Sequence, residues 1–207
     1  MSQNKRIKGH ASAARTNVSS GAILYQIKVT LVDAKPPIWR RLTLSSLTTL
    51  DRLHEVIQVA MGWEDCHLHQ FAQHGVIYSS EELFEADDQI KNEAKYHLAD
   101  LLKQPKDQLS YVYDFGDDWQ HVIVLEKVLP MPRRHPPALI TQAEGACPLE
   151  EIGGLDGYYY WLDVLAHPDD PEYQTPHHDE MRDWVEADFD ARFFDLKKVN
   201  GRLGKVR

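Results

Sequence analysis

Residues 109–129 read LSYVYDFGDDWQHVIVLEKVL. Leu109, Tyr111, Tyr113 and Phe115 share one side of an alternating run, and a long β-branched run begins at Trp119. Between them lies GDD, made of residues that tight turns favour. The pattern predicts a single β-hairpin over 109–129. A hairpin alone is marginal in water, so the neighbouring segments decide the fold.

AILYQIKVTLV (22–32) alternates as well. Ile23, Tyr25, Ile27, Val29 and Leu31 face one way and Gln26, Lys28 and Thr30 the other, which predicts a strand with one buried side. Pro36 and Pro37 break the chain, since neither can donate to a ladder, and IWRRLTLSS returns as the second arm of a hairpin. A helix follows. Thr48 is the expected cap with Asp51 three residues on, Leu50, Leu53, Ile57, Ala60 and Met61 form an apolar stripe, and Gly62 is the stop. HLHQFAQHGVIYSS (67–80) predicts two short strands around Gly75. Residues 81–93 read as an acidic loop or short exposed helix, and YHLADLL as a helical turn or two.

PMPRRHPP (130–137) holds four prolines in eight residues and reads as a stiff connector opening a second, mainly helical lobe. Tyr158, Trp161, Leu162 and Leu165 form one helical stripe there. Met181, Trp184, Val185 and Phe189 form another, and FFDLKKVNGRL ends the chain with a short helix capped by Asp195. The expected architecture is α+β: a mixed, largely antiparallel, β-grasp-like sheet with one packed helix, followed by a mainly helical C-terminal lobe. Residues 1–20 are read as a disordered basic tail, 21–130 as the sheet domain, and 131–207 as connector and acidic helical lobe packing on it.

Charge is unevenly spread over the 207 residues. The net charge of −9 divides into +4 over residues 1–20, −18 over 21–195 and +5 over the last twelve. An acidic body repels a phosphate backbone, which argues against nucleic-acid contact by the folded part and leaves only the basic tails as candidates. No apolar run approaches the ~20 residues of a membrane helix. The start of the chain lacks an apolar signal core, and Cys66 and Cys147 do not suggest a disulfide framework. A cytoplasmic location is expected.

Asp114, Asp117 and His121 are the catalytic candidates. A carboxylate beside an imidazole can orient it or share a divalent ion with it. The competing and preferred reading is that Asp114 and Asp117 accept the amides of their own turn, while Trp119 and Phe115 anchor it. The DFG inside this stretch is not a kinase signal, because the other kinase motifs are missing. His67 and His69, two apart, could join His74 or His121 as zinc ligands. Such a pair more often packs, so no metal is favoured and no cofactor is predicted, a divalent ion being the alternative. CPLEEIGGLDGYYYW (147–161) contains Gly153, Gly154 and Gly157 ahead of a helix. Its acids Glu150, Glu151 and Asp156 would repel a phosphate at that N-terminus, so the glycines read as close-packing positions and Glu150 or Glu151 as caps or bridges. Trp119, Glu150, Glu151 and Asp156 are the binding candidates.

The stretches PPIWRRL, LHEVIQVAMGWEDCHLHQF, YVYDFGDDWQHVIVLEKVLP, ACPLEEIGGLDGYYYWLDVLAHPDDPEY and FDLKKVNGRL, in that order, resemble the plasmid pRiA4b ORF-3-like family from about Tyr25 to Leu203. The resemblance implies an α+β domain associated with mobile DNA and implies no established activity. Where the family has CPPEDCGG this chain has CPLEEIGG, so Cys147 remains and Ile152 replaces a second cysteine, which weakens a thiolate-pair reading. Cys66 stands where relatives of this family usually carry serine. The expected function is a non-enzymatic binding or adaptor protein, an accessory of a mobile element, docking a partner with a basic surface. The alternative is a small metal-assisted hydrolase or nuclease built on the 114–121 hairpin.

Overall fold

The computed structural model describes residues 23–183 and 189–206. The N-terminal tail, and Trp184 and Val185 of the second expected stripe, lie outside these residues. In chain order the elements are β1 (Leu24–Leu31), β2 (Trp39–Ser45), α1 (Leu50–Met61), β3 (His69–Gln73), β4 (Val76–Ser79), α2 (Glu81–Ala86), β5 (Lys91–Asn92), α3 (Leu98–Leu101), β6 (Gln108–Tyr113), β7 (Trp119–Leu129), β8 (Ala138–Glu144), α4 (Gly154–Ala166), α5 (Pro176–Asp183) and α6 (Leu196–Leu203). One eight-stranded sheet runs β5-β4-β3-β6-β7-β1-β2-β8, antiparallel throughout except for the short β4–β5 pair. The chain is therefore α+β with a mostly antiparallel sheet. Among the described residues, no helix is long and apolar enough to cross a membrane.

Alternation positions the core. In β1, Tyr25, Ile27, Val29 and Leu31 are buried while Gln26, Lys28 and Thr30 are half-exposed. Opposite them in register, Ile123 and Leu125 of β7 and Leu42 and Leu44 of β2 bury the same face. Leu50, Leu53, Val56, Ile57, Ala60 and Met61 of α1 join this cluster. Each fully buried aliphatic side chain contributes about 1.5–3 kcal/mol relative to exposure. The helix starts one residue later than expected, with Thr49 as N-cap and its hydroxyl donating to Asp51 instead of accepting a helix amide. Gly62 ends it in the left-handed conformation (φ 100°), as a C-terminal glycine permits. His74 and Gly75 link β3 to β4 with positive φ at both positions, the requirement of a two-residue type I′ hairpin.

A proline-rich connector, residues 130–137, follows β7. The chain beyond it returns to the sheet as β8, pairing antiparallel with β2, where the sequence reading places no strand. The far side of β8 is a sheet edge, and α6 lies beside it. Asn200 Oδ1 accepts the Ile140 amide at 2.8 Å and its Nδ2 donates to the Ile140 carbonyl at 2.9 Å, so one side-chain amide stands in for a missing strand. Replacing Asn200 with leucine strands both backbone groups. The expected cost is about 1–3 kcal/mol, with a rise in self-association, read from urea unfolding and sedimentation.

Arg40, with 0 % of its surface exposed, joins these parts from inside. Its Nε donates to the Ala60 carbonyl at the end of α1, and its Nη1 donates to the Trp39 and Glu144 carbonyls. Its guanidinium lies 3.9 Å from the centre of the Phe194 ring. Burial brings its pKa down to about 10, so it stays charged at neutral pH.

Candidate functional site

The hairpin tip is built by Asp114. Its carboxylate Oδ1 accepts the Gly116 amide at 2.9 Å and the Asp117 amide at 3.4 Å, and its carbonyl accepts the Asp118 amide at 2.7 Å. Asp114 and Asp118 both sit at φ 55°, in the left-handed region that aspartate tolerates better than most residues. Asp117 turns outward, and its Oδ2 accepts the Gly153 amide at the start of α4 (3.2 Å). Gly154 approaches so closely that a Cβ there would lie 2.6 Å from the Asp117 carbonyl oxygen. A carboxylate thus already occupies the amide end of α4.

His121 does not reach this tip. It pairs in register with Tyr111 and is 1 % exposed; its ring stands edge-on to Trp63, and its Nδ1 donates to the Trp119 carbonyl at 2.9 Å. Burial pulls its pKa down to about 4, so it is neutral. Trp119 is equally buried, contributing core area and no accessible surface. Asp156 lies in the first turn of α4 and faces a separate depression shared with Asp33, Asp117 and Asp118.

The histidines of CHLHQF part company. His69 is buried, its Nε2 2.9 Å from Glu93, and its ring is stacked on His54 of α1 at 3.4 Å between centroids. His54 in turn lies between Asp65 (Nε2 to Oδ1, 2.7 Å) and Tyr111 (Nδ1 to the hydroxyl, 2.8 Å), whose oxygen also accepts from Gln58 at 3.0 Å. A neutral His54 meets both partners by donating to Asp65 from Nε2 and accepting from Tyr111 at Nδ1. Burial, then the neighbouring His69, holds its pKa down at about 4. His67 is half-buried, its Nε2 2.6 Å from Glu151 and 3.7 Å from Asp114. His67, His69 and His121 thus serve three different partners and do not form one ligand set.

What the structure does bring together is a cleft of about 350 Å³ between the end of α1 and the Cys147–Glu151 segment. Trp63, whose Nε1 donates to the Pro148 carbonyl, forms part of its wall, and Glu64, Cys66, His67, Glu150 and Glu151 line it. Glu150 bridges two elements by accepting the Tyr113 hydroxyl at Oε1 and the Glu64 amide at Oε2 (2.7 Å). Residual desolvation, then the Glu150 and Glu64 carboxylates, holds the exposed Cys66 thiol above its ordinary pKa. Cys147 lines the same cleft, and burial pushes its thiol up to about 12 against the pull of Arg40, so it is not a ready nucleophile. Among the described residues, Glu64, Cys66 and Glu150 alone form a group of potential metal-ligand atoms within 4.8 Å of one another.

Residues 23–198 match the family described as plasmid pRiA4b ORF-3-like protein. The chain belongs to this family. It is 32 % identical over 180 residues to the uncharacterised protein y4hQ of Sinorhizobium fredii, covering 86 % of this chain and 90 % of the relative. The crystal structure of a protein of unknown function, MM3350 from Methanosarcina mazei Go1, superposes with a TM-score of 0.74. It is 32 % identical and covers 86 % of this chain and 97 % of that one. Within this pRiA4b ORF-3-like chain, Glu150 and Glu151 were legible as site candidates from sequence. Glu64, Trp63 and Tyr113 were not, because only the fold places them beside the Cys147–Glu151 segment.

Proposed function

We propose that this pRiA4b ORF-3-like chain is a non-enzymatic binding protein, an adaptor whose acidic cleft receives a cationic side chain of a protein partner. The observation that carries this reading is the composition of the cleft rim. Glu64, Glu150 and Glu151 converge there, with His67 as the basic neighbour. An ammonium or guanidinium entering beside Trp63 would meet carboxylates on several sides, and complementary charge raises both association rate and specificity. A catalytic reading of the hairpin has less support, since Asp114 and Asp117 are engaged by backbone amides and His121 is sealed in the core. The family resemblance makes an accessory protein of a mobile element, working beside a basic DNA-binding partner, the natural setting. We read the sheet with α1 across it as a β-grasp-like frame, and α4 to α6 as a helical lobe set on it.

Co-purification from the native host at physiological salt tests the proposal. A protein partner should be recovered by the wild type and lost by the Glu64→Lys, Glu151→Lys double variant, whose circular dichroism stays native. Recovery of no partner, or equal recovery by both, overturns it. Stoichiometric zinc or manganese in protein purified without a histidine tag, lost on Cys66→Ser and Glu150→Gln, would instead move the reading to a metal-assisted hydrolase.

A further inference from the structure

The face of the sheet turned away from α1 carries a charge pattern opposite to that of the body. Gln26, Lys28 and Thr30 of β1, Trp39 and Arg41 of β2, and Val124 and Glu126 of β7 remain half-exposed on it. A depression of about 680 Å³ runs across this face, lined among others by Arg41, Lys106, Glu126, Lys127 and Gln142. A second, of about 630 Å³, shares Arg41 and Gln142 and continues past Trp39 to Phe194 and Leu196. The two form one trough spanning β7, β1, β2 and β8, about 14 Å across at the usual strand spacing.

Its charges are Lys28, Arg41, Lys106 and Lys127 against Glu126 and Glu144; Arg41 and Glu126 neutralise each other, and the three lysines remain. Glu126 is held by Arg41 through two contacts of 2.6 and 2.8 Å, and Glu144 accepts the Trp39 indole N–H at 2.7 Å. The Trp39 ring lies 4.5 Å from Lys28 Nζ and 5.1 Å from the Arg41 guanidinium. Residues 127–143 contain Lys127, Arg133 and Arg134 and no acid. The connector carrying these arginines, both exposed, is tied back to the sheet where His135 Nε2 meets Thr43 Oγ1 at 3.0 Å. At the other end Phe193, next in sequence to the lining residue Phe194, is 64 % exposed.

We infer that this trough binds single-stranded nucleic acid, its lysines and arginines tracking the phosphates and its aromatic end meeting bases. Cations interleaved with aromatic rings in a groove are the elements such sites use. The −18 of the body does not forbid it. Charges beyond about 8 Å are largely screened at physiological salt, and the cleft acids lie on the side of the sheet that carries α1.

The probe is a fluorescein-labelled oligothymidylate, followed by anisotropy with the full chain. Binding at 50 mM salt should weaken by about fifty-fold at 200 mM, as four neutralised phosphates require for a single strand. Lys28→Glu with Lys127→Glu should abolish it, and Trp39→Phe should weaken it several-fold, each variant keeping a native circular dichroism spectrum. Three results overturn the inference: no binding at 50 mM salt, binding undiminished by the double reversal, or loss on deleting residues 1–20 with the reversal silent. Duplex of equal length binding more tightly than the single strand, or polyglutamate competing equally, also defeats it. None of these outcomes depends on the acidic cleft.

Discussion

Gly157→Ala should lower the stability of the protein by about 3 kcal/mol or more, one of the largest losses available to a single methyl group. A Cβ at Gly157 would sit 1.8 Å from the Ile152 carbonyl oxygen and 2.8 Å from its carbon. That contact is with backbone, which cannot swing aside as a side chain can. Overpacking typically costs 1–3 kcal/mol, and here relief requires Ile152, or the start of α4, to move. Gly154→Ala should cost a similar amount for two reasons. Its φ of 69° disfavours any side chain, and its Cβ would lie 2.6 Å from the Asp117 carbonyl oxygen. Either shift pulls α4 from the hairpin tip and disturbs the adjoining Cys147–Glu151 wall of the cleft, so partner binding should fall as well. Gly201→Ala is the control. Nothing lies within 4 Å of a Cβ there, the residue is inside α6, and its φ is ordinary, so alanine should stabilise by about 0.5–1 kcal/mol. Urea midpoints for the three variants check the order. Gly157→Ala unfolding like the wild type would refute the steric argument.

These glycines show where sequence reading succeeds and where it stops. Gly153, Gly154 and Gly157 are legible as close-packing positions because acidic neighbours remove the phosphate-loop alternative, yet nothing in the sequence says that the packed surface is the tip at Asp117. The Asp114 turn is legible for the opposite reason: its contacts lie within four residues. Strands β1, β6 and β7 announce themselves by a period of two. Strand β8 does not, since ALITQAE follows a proline-rich run with little alternation, and its pairing depends on β2, about 100 residues earlier. The cleft is longer-ranged still. Tyr113 to Glu150 spans 37 residues and Glu64 to Glu150 spans 86, and a single sequence carries no record of such pairings. His54 carries a signal of its own. It lies four residues after Leu50 and three before Ile57, squarely on the buried stripe, and a histidine there should prompt a search for a buried partner.

That histidine makes the protein sensitive to mild acid. His54 and His121 are buried, and both have folded-state pKa values drawn down to about 4 from an ordinary 6.5. Burial is the main cause at each site. At His54 the stacked His69 adds to it, while Asp65 opposes; at His121 the Trp119 carbonyl opposes and Arg40 adds to it. Both groups are bases with depressed folded values, so between pH 6.5 and 4 the unfolded chain binds the protons and the folded chain does not. Their stabilising effect is complete above about pH 7 and drains away as pH falls through that window. At 1.36 kcal/mol per unit, each histidine should cost about 2 kcal/mol by pH 5 and about 3 by pH 4. Two together remove a large part of the 5–15 kcal/mol typical of a folded domain. The lowered carboxyl pKa of Glu126, held by Arg41, acts in the same direction at lower pH. Urea unfolding at pH 7 and pH 5 should therefore differ by about 4 kcal/mol in the wild type. In His121→Leu the difference should shrink by about half, whatever the substitution does to stability at pH 7, because leucine cannot take up the proton. An unchanged pH dependence in that variant would mean that His121 is not the buried neutral base described here.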